Sequence, residues 1–450
     1  MNMHANKEDI DDNHSVWVEA TPHYQPQPAL RENIIADLVI IGGGFTGVST
    51  AYHFSRRYPQ KRVILLEAKT LGNGASGRNG GQMLSWIRGG VEDDASLQRN
   101  YRVTCAAMDT IEGIIRKHQL PVSYQRSGVF HALTTSRGAE QAQADVERLQ
   151  RLGLPLQYLT SQSLAQRVKA NGVVGAAFDP NEGELNGCQY VRALRSVLLN
   201  SGVAVYENTM VLALHEEATI RLVTPFGEVR TAAIVLATNA YTPRLGYFRS
   251  AIFPAHAHNF ATAPLTPEQL AEIGWLVGAG IDDDYSLLSY MALTPEKRLV
   301  FGGSPAGYRY LYNNGTSFSG SPESWTAVFK KMHRTLTDYF PAAASIPVTH
   351  RWTGTVALNL SGVSGMMGIR GEHRNVYYAL GYNGHGVTLA NLAGQVLTDL
   401  YSGDDEKWRG LPFYHPRIFP IPPEPLRWVG AQIYMKLLVP RYASHVVLGG

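Results

Sequence analysis

Residues 37–67 constrain this chain more than any other stretch. Leu38 to Ile41 is a short apolar run rich in β-branched residues, which suits a strand buried on both faces of a parallel sheet. It runs directly into Gly42-Gly43-Gly44-Phe45-Thr46-Gly47. From Thr46 to Arg57 the pattern turns helical, with Val48, Ala51, Tyr52 and Phe54 on one side, and Pro59 closes it before a second buried strand at Val63 to Leu66. This is one βαβ unit. In it Gly42 lets the chain reverse tightly, Gly44 removes a Cβ so that backbone can approach a pyrophosphate, and Gly47 lets the helix lie close to the strand. The helix start offers N–H groups and the positive end of its dipole to phosphates. Glu67, at the end of the second strand, is placed to accept hydrogen bonds from an adenosine ribose. At this step NAD and FAD satisfy the same physics.

Bulk composition decides little beyond exclusion. The 450 residues carry 40 Lys+Arg against 37 Asp+Glu, a net +3, so no nucleic-acid footprint and no acidic tail is expected. Hydrophobic residues at 44% suffice for a core of two or more domains. Cys105 and Cys188 lie far apart in no CxxC or Cys/His cluster, so reduced thiols in a cytoplasmic protein are expected, with no zinc framework. The amino terminus is acidic and lacks a secretory pattern, and no run approaches the length of a membrane span. His256 and His258 are two apart on a predicted strand but have no acidic or cysteine companion, so no metal site is assigned.

Residues 1–35 read as an extended lead-in with Trp17 anchored on the body. Helices are predicted at 100–118, 190–199, 324–336 and 388–400. Strand patterns occur at 127–133, 203–206, 210–214, 220–223, 233–237 and 376–380. A further group at 259–263, 285–293, 299–302 and 348–356 fits an antiparallel sheet. The fold expected is α/β, a discontinuous nucleotide-binding domain (36–90, 185–245, 350–405) interleaved with an α+β domain (91–184, 246–349). A C-terminal extension follows at 406–450, in which Trp428 to Tyr442 reads as a docked helix in preference to a membrane-surface contact.

After Glu67 and Ala68, the run Gly72-Asn73-Gly74-Ala75-Ser76-Gly77-Arg78-Asn79-Gly80-Gly81-Gln82 allows many backbone N–H groups to converge on a ligand. With this run the sequence resembles a known family. ADLVIIGGGFTGVSTAYHFSRR, LLEAKTLGNGASGRNGGQ, AAIVLATNAY and GYNGHGVTLANLAG follow in the order found in the D-amino-acid oxidase-like superfamily, particularly its gamma-glutamylputrescine oxidase-like branch. The resemblance implies a Rossmann-like FAD-binding domain of glutathione-reductase type and an antiparallel-sheet substrate domain. It implies that Gly42, Gly44, Phe45, Thr46 and Gly47 cradle the pyrophosphate and that Glu67 and Ala68 hold the ribose. Ala75, Ser76, Arg78, Asn79, Gly80, Gly81 and Gln82 then line the phosphate and flavin region, with Val211 meeting the adenine and Thr238 and Asn239 closing over the nucleotide.

The late segment also has a reading of its own. Gly384, His385 and Gly386 end a strand and open a helix at Val387 and Thr388, whose dipole can stabilise negative charge on a flavin carbonyl; His385 alone can equally be a turn residue. The implied chemistry is oxidation of an amine or amino acid to the imine, with electrons passed to dioxygen to give hydrogen peroxide; the alternatives are a dehydrogenase using a quinone or carrier as acceptor and a non-catalytic flavin-binding protein. Arg88, Tyr290, Trp352 and His385 are the candidate catalytic residues. Two departures bear on it: Tyr290-Met291-Ala292-Leu293-Thr294 lacks an arginine the branch carries, and Gly302-Gly303 stand where sarcosine oxidase-like relatives carry an oxygen-activating lysine. No cysteine falls in Arg351-Trp352-Thr353-Gly354 or beside the late glycines, so FAD is expected without a covalent link.

Overall fold

The computed structural model describes residues 11–12, 14–87, 93–307, 322–434 and 437. Five parallel strands, in the order Ala204–Tyr206, Val63–Leu66, Ile34–Ile41, Glu228–Leu236 and Val376–Leu380, form the centre of one sheet. Met366–Arg370 extends it antiparallel, while Ala213–His215 and Ile220–Val223 make a meander on the first half of Glu228–Leu236. The predicted apolar run is continuous because alternate residues enter two cores: Leu38 and Ile40 pack on one face, Val39 and Ile41 on the other.

The first of those faces is covered by helices Phe45–Arg57 and Gly386–Ser402. They cross closely because the contact is made of small residues. A Cβ at Gly394 would lie 2.2 Å from Ser49 Oγ, and Ser49 Oγ donates to the Asn391 carbonyl at 2.5 Å. This crossing brings the first and last diagnostic segments of the sequence together.

The second sheet has nine strands, ordered Asp11–Asp12, Val348–Leu358, Phe253–Pro264, Arg298–Gly307, Ser289–Leu293, Gly280–Asp283, Val129–Leu133, Gly175–Asp179 and Gln157–Thr160. It is antiparallel except at its first pair and at Gly280–Asp283 beside Val129–Leu133. A small third sheet joins Gln82–Met83, Gly183–Leu185 and Tyr124–Gln125.

Several expectations change. The strand expected at 348–356 joins the nine-stranded sheet and runs on to Leu358, paired along nearly its whole length with Phe253–Pro264. The predicted strand at 285–293 begins only at Ser289, because Asp283 Oδ1 accepts from the amides of Tyr285 and Ser289 and bends the chain between them. The strand expected at 210–214 is confined to Ala213–His215, since Asn208 and Thr209 donate to the carbonyls of Lys69 and Glu67 and tie the preceding residues to the nucleotide side. Helix Ser136–Arg151 was not anticipated. It is capped by Thr135, and its buried stripe of Ala139, Ala142, Val146 and Leu149 is too small and narrow to stand out among charged neighbours.

The lead-in is not wholly extended: Val16–Glu19 is a short helix, with Trp17 buried as expected. At the other end, Leu426–Ile433 docks through its arginine instead of an apolar face. Arg427 is buried and donates to the carbonyls of Pro422 and Arg249, whereas Leu426, Trp428, Val429 and Ile433 are exposed. Among the described residues no helix is long and apolar enough to cross a membrane.

Candidate cofactor and active site

A cavity of about 840 Å³ opens where the glycine turn, the run after Glu67 and the start of helix Gly386–Ser402 meet. Each glycine of the turn has a steric reason. Gly42 has φ +111° and a Cβ there would lie 2.7 Å from the Ala237 carbonyl; at Gly47 a Cβ would lie 1.8 Å from the Gly42 carbonyl; at Gly44 it would lie 2.8 Å from Ser76 Oγ. Gly42, Gly44, Phe45 and Thr46 line the cavity, and Gly47 sits behind it, holding the helix on the strand. Phe45 N–H is already engaged, donating to Ser76 Oγ at 2.9 Å, so the serine braces the helix start as well as lining the cavity.

Glu67 and Ala68 form another wall. Glu67 Oε2 accepts from Gly43 N–H at 2.7 Å and Oε1 from Lys69 N–H at 2.9 Å, which fixes the carboxylate rigidly. Burial pushes its pKa up and the two amides oppose that shift. Ala75, Ser76 and Asn79 of the glycine run line the same space, as do Val211, Thr238 and Asn239 from the facing segments. Asn239, at φ +43°, accepts from Gly381 N–H through Oδ1 at 3.0 Å and so locks the third segment to the fourth.

The late segment contributes Gly384, Gly386 and Val387 to the lining. Helix Gly386–Ser402 has no side-chain cap at its start, leaving N–H groups and the positive dipole end at the cavity. Thr388 is buried behind it. Tyr382, which sequence reasoning did not select, lines the cavity, and its hydroxyl meets Thr46 Oγ1 at 2.7 Å, pinning the start of helix Phe45–Arg57 to the turn that precedes helix Gly386–Ser402. Tyr241 and Arg244, on the turn Asn239–Leu245, were also not selected; the only sequence signal for them is their place directly after Thr238-Asn239.

Other predicted residues brace the site: Arg78, Gly81, Gln82 and Gly354 do not line this cavity, while Asn79 both lines and braces it. Arg78 donates through Nε to Asn73 O at 2.8 Å and through Nη1 to Thr353 O at 3.2 Å, and Gly354 packs closely on it, a Cβ there lying 3.1 Å from Arg78 Cβ. Asn79 Nδ2 donates back to Ala75 and Ser76 carbonyls while its Oδ1 accepts from Gly81 N–H, holding the run in one conformation. Gln82 reaches the large sheet, donating to the Ile281 carbonyl at 3.2 Å.

Of the four catalytic candidates, Tyr290 packs its ring directly against the glycine run. Its ring lies against Gly80, where a Cβ would be 2.3 Å away, and over Gly302 on the next strand; its hydroxyl donates to Asn259 Oδ1 at 2.8 Å. Strand register sets His131, Asp282, Tyr290, Gly302, Asn259 and Trp352 in one row across the large sheet, with the glycine run against its Tyr290–Trp352 end. Trp352, however, is 1% exposed in a core with Val16, Trp17 and Cys188, and its Nε1 donates to the Arg78 carbonyl at 3.1 Å. The structure therefore gives Trp352 a bracing contact, because the tight packing that makes it a good core residue removes it from any open face. His385 precedes the helix with Nδ1 3.2 Å from the Asn383 carbonyl and does not line the cavity, which fits the turn reading. Arg88 lies outside the described residues.

The residues present suit FAD: a glycine cradle that any Cβ would fill, a rigid carboxylate on the cavity wall at the end of the second strand, and a second helix start on the same cavity. Among the described residues no group of three or more His, Cys, Asp or Glu could hold a metal ion. Comparison with known proteins agrees. The chain is 28% identical to gamma-glutamylputrescine oxidoreductase of Escherichia coli over 89% of this chain and 92% of that protein. It is 27% identical to the probable oxidoreductase OrdL of Haemophilus influenzae, over 84% and 86% respectively. Its fold matches the crystal structure of glycine oxidase from Geobacillus kaustophilus with a TM-score of 0.71 at 19% identity, covering 86% of this chain and 99% of that one. The family model described as DAO, FAD dependent oxidoreductase, matches residues 37–400, and the chain belongs to that family of FAD-binding enzymes.

Proposed function

We propose that this enzyme oxidises an amine or amino acid at the carbon bearing the nitrogen, giving an imine that water hydrolyses, with dioxygen as electron acceptor. The observation that carries the reading is the row containing Tyr290 and Asn259, packed against the same glycine run that helps enclose the cofactor cavity. Relatives named for gamma-glutamylputrescine and glycine oxidation support the substrate class. Bound FAD supplies the two-electron acceptor for a hydride leaving that carbon. The chain holds the cofactor through Gly42, Gly44, Glu67 and Ser76, and the start of helix Gly386–Ser402 offers N–H dipoles to developing negative charge. Tyr290 shapes the substrate side of the glycine run. A low-polarity pocket favours the neutral amine, the form able to lose hydride.

A second reading keeps the oxidation and replaces dioxygen by a quinone or protein carrier. It is favoured by Gly302: the Tyr290 ring occupies the space where a side chain at that position would project, so no lysine stands there. Anaerobic mixing with a panel of amines and amino acids, followed by admission of air, tests both. Bleaching of the yellow spectrum supports amine oxidation, and its absence across the panel defeats it. Rapid recovery with peroxide supports dioxygen, and slow recovery without peroxide supports the carrier.

A further inference from the structure

The lead-in bonds to both ends of the cofactor site. At one end Ser15 Oγ donates to the Gly77 carbonyl at 2.5 Å and Trp17 Nε1 donates to the Asn79 carbonyl at 2.7 Å. Those carbonyls belong to the glycine run. The Trp17 indole also lies against Gly81, where a Cβ would be 3.2 Å from it and φ is +85°. Val16 and Trp17 fill a core with Cys188, Ala261, Ala292, Val300 and Trp352, so the same two residues press the run onto the large sheet.

At the other end lies Glu207, fully buried. It accepts from Tyr24 Oη at 2.8 Å, from Gln27 N–H at 2.6 Å and from Leu71 N–H at 2.6 Å, with Arg195 at 3.5 Å. Arg192 and Arg195 lie over the Tyr24 ring at 4.2 and 4.4 Å. Leu30 N–H donates to Thr209 Oγ1 at 3.0 Å, and Thr209 N–H donates to the Glu67 carbonyl at 2.8 Å. One segment of the lead-in is thus bonded to the glycine run and, through Glu207 and Thr209, to the segment carrying the ribose carboxylate.

We propose that residues 15–30 are a strap that retains FAD, with Ser15 and Trp17 as positioning residues for the glycine run and Tyr24 on Glu207 as its second anchor. Ser15 and Trp17 bond to main-chain carbonyls of the run, and Tyr24, Gln27 and Leu30 to the side chains of Glu207 and Thr209, so the strap acts on loop conformation and not on substrate. Because the strap and the cofactor both order the same loop, each strengthens the other by the same factor. The inference rests on FAD binding and holds whichever amine is oxidised.

Two measurements test it on the full-length protein. Trp17→Phe keeps an aromatic side chain but removes the indole N–H and part of its bulk; FAD Kd, from fluorescence titration of apoprotein, is expected to rise about fivefold to tenfold, the scale of one lost hydrogen bond. Trp17→Phe with Tyr24→Phe is expected to rise further, and the visible circular dichroism of bound flavin to change with Trp17→Phe. A Kd within about twofold of the parent, with apo and holo thermal midpoints lowered equally, shows packing alone and overturns the proposal. Where a variant fails to fold, hydrogen exchange of the unaltered protein decides. Removing FAD is expected to speed exchange at Val18, Gln27 and Leu30 by about tenfold or more, and equal rates in apo and holo forms defeat the strap.

Discussion

The amide of Gly43 donates to Oε2 of Glu67 at 2.7 Å, and the other oxygen takes the amide of Lys69. The glycine turn and the Glu67 carboxylate are therefore one hydrogen-bonded unit. Glu67→Gln sets an NH2 group against one of those two amides. FAD affinity is expected to fall by roughly tenfold to a hundredfold, the range for a charged hydrogen bond. Titration of apoprotein with FAD measures it, and unchanged affinity refutes the assignment of Glu67.

Gly302 has no room for a side chain. A Cβ there would lie 2.1 Å from the Tyr290 ring and 2.2 Å from Asn259 Oδ1. Gly302→Ala is expected to lower unfolding free energy by about 1–3 kcal/mol, the usual cost of overpacking, and to break the Tyr290–Asn259 hydrogen bond. Denaturant midpoints at constant slope give the first quantity, and a crystal structure of the variant gives the second.

His131 is buried between Asp282, with Nδ1 to Oδ1 2.7 Å, and Glu182, with Nε2 to Oε2 3.1 Å. Burial alone lowers a histidine pKa, but these two carboxylates outweigh it and hold the imidazole well above its usual range. The ion pairs' stabilisation is therefore complete below the unfolded value of about 6.5 and is lost as pH rises through the folded value. His131→Gln is expected to cost about 3–5 kcal/mol near neutral pH because it leaves two buried carboxylates facing each other. The gap between parent and variant should narrow toward alkaline pH. A gap that stays constant from about pH 6 to about pH 10 contradicts the ion-pair assignment.

Neither cysteine lines the cofactor cavity. Cys188 is buried beside Trp17 and Trp352, and burial pushes its thiol up; burial also pushes the Cys105 thiol up to about 12. Neither is a nucleophile for attachment near neutral pH. Acid precipitation of the holoenzyme is expected to leave the yellow colour wholly in the supernatant, and colour retained in the pellet would disprove the non-covalent expectation.

The parts of the molecule legible in the sequence are those where one residue type has one physical job. Gly42, Gly44 and Gly47 could be read because only glycine fits their contacts, and Glu67 because the strand ahead of it fixes its position. Tyr382 and Trp17 were harder to interpret. Tyr382 acts through Thr46, hundreds of positions away in sequence, and Trp17 acts through a main-chain carbonyl that any residue at 79 would supply. Trp352 went the other way: an aromatic residue on the large sheet looks the same in sequence whether it faces a pocket or a core. The full length of strand Val348–Leu358 was not legible because its pairing partner, Phe253–Pro264, is remote in sequence.

Val376–Leu380 completes the parallel sheet beside Glu228–Leu236, and helix Gly386–Ser402 supplies a wall of the cofactor cavity. Both come from the last fifth of the chain. While the polypeptide is being made, a ribosome must release nearly all of it before the cavity has its full boundary, so the glycine turn waits with an unfilled edge beside Glu228–Leu236. The yellow coenzyme is thus a late arrival in biogenesis, and a chain shortened before residue 376 has no complete berth for it.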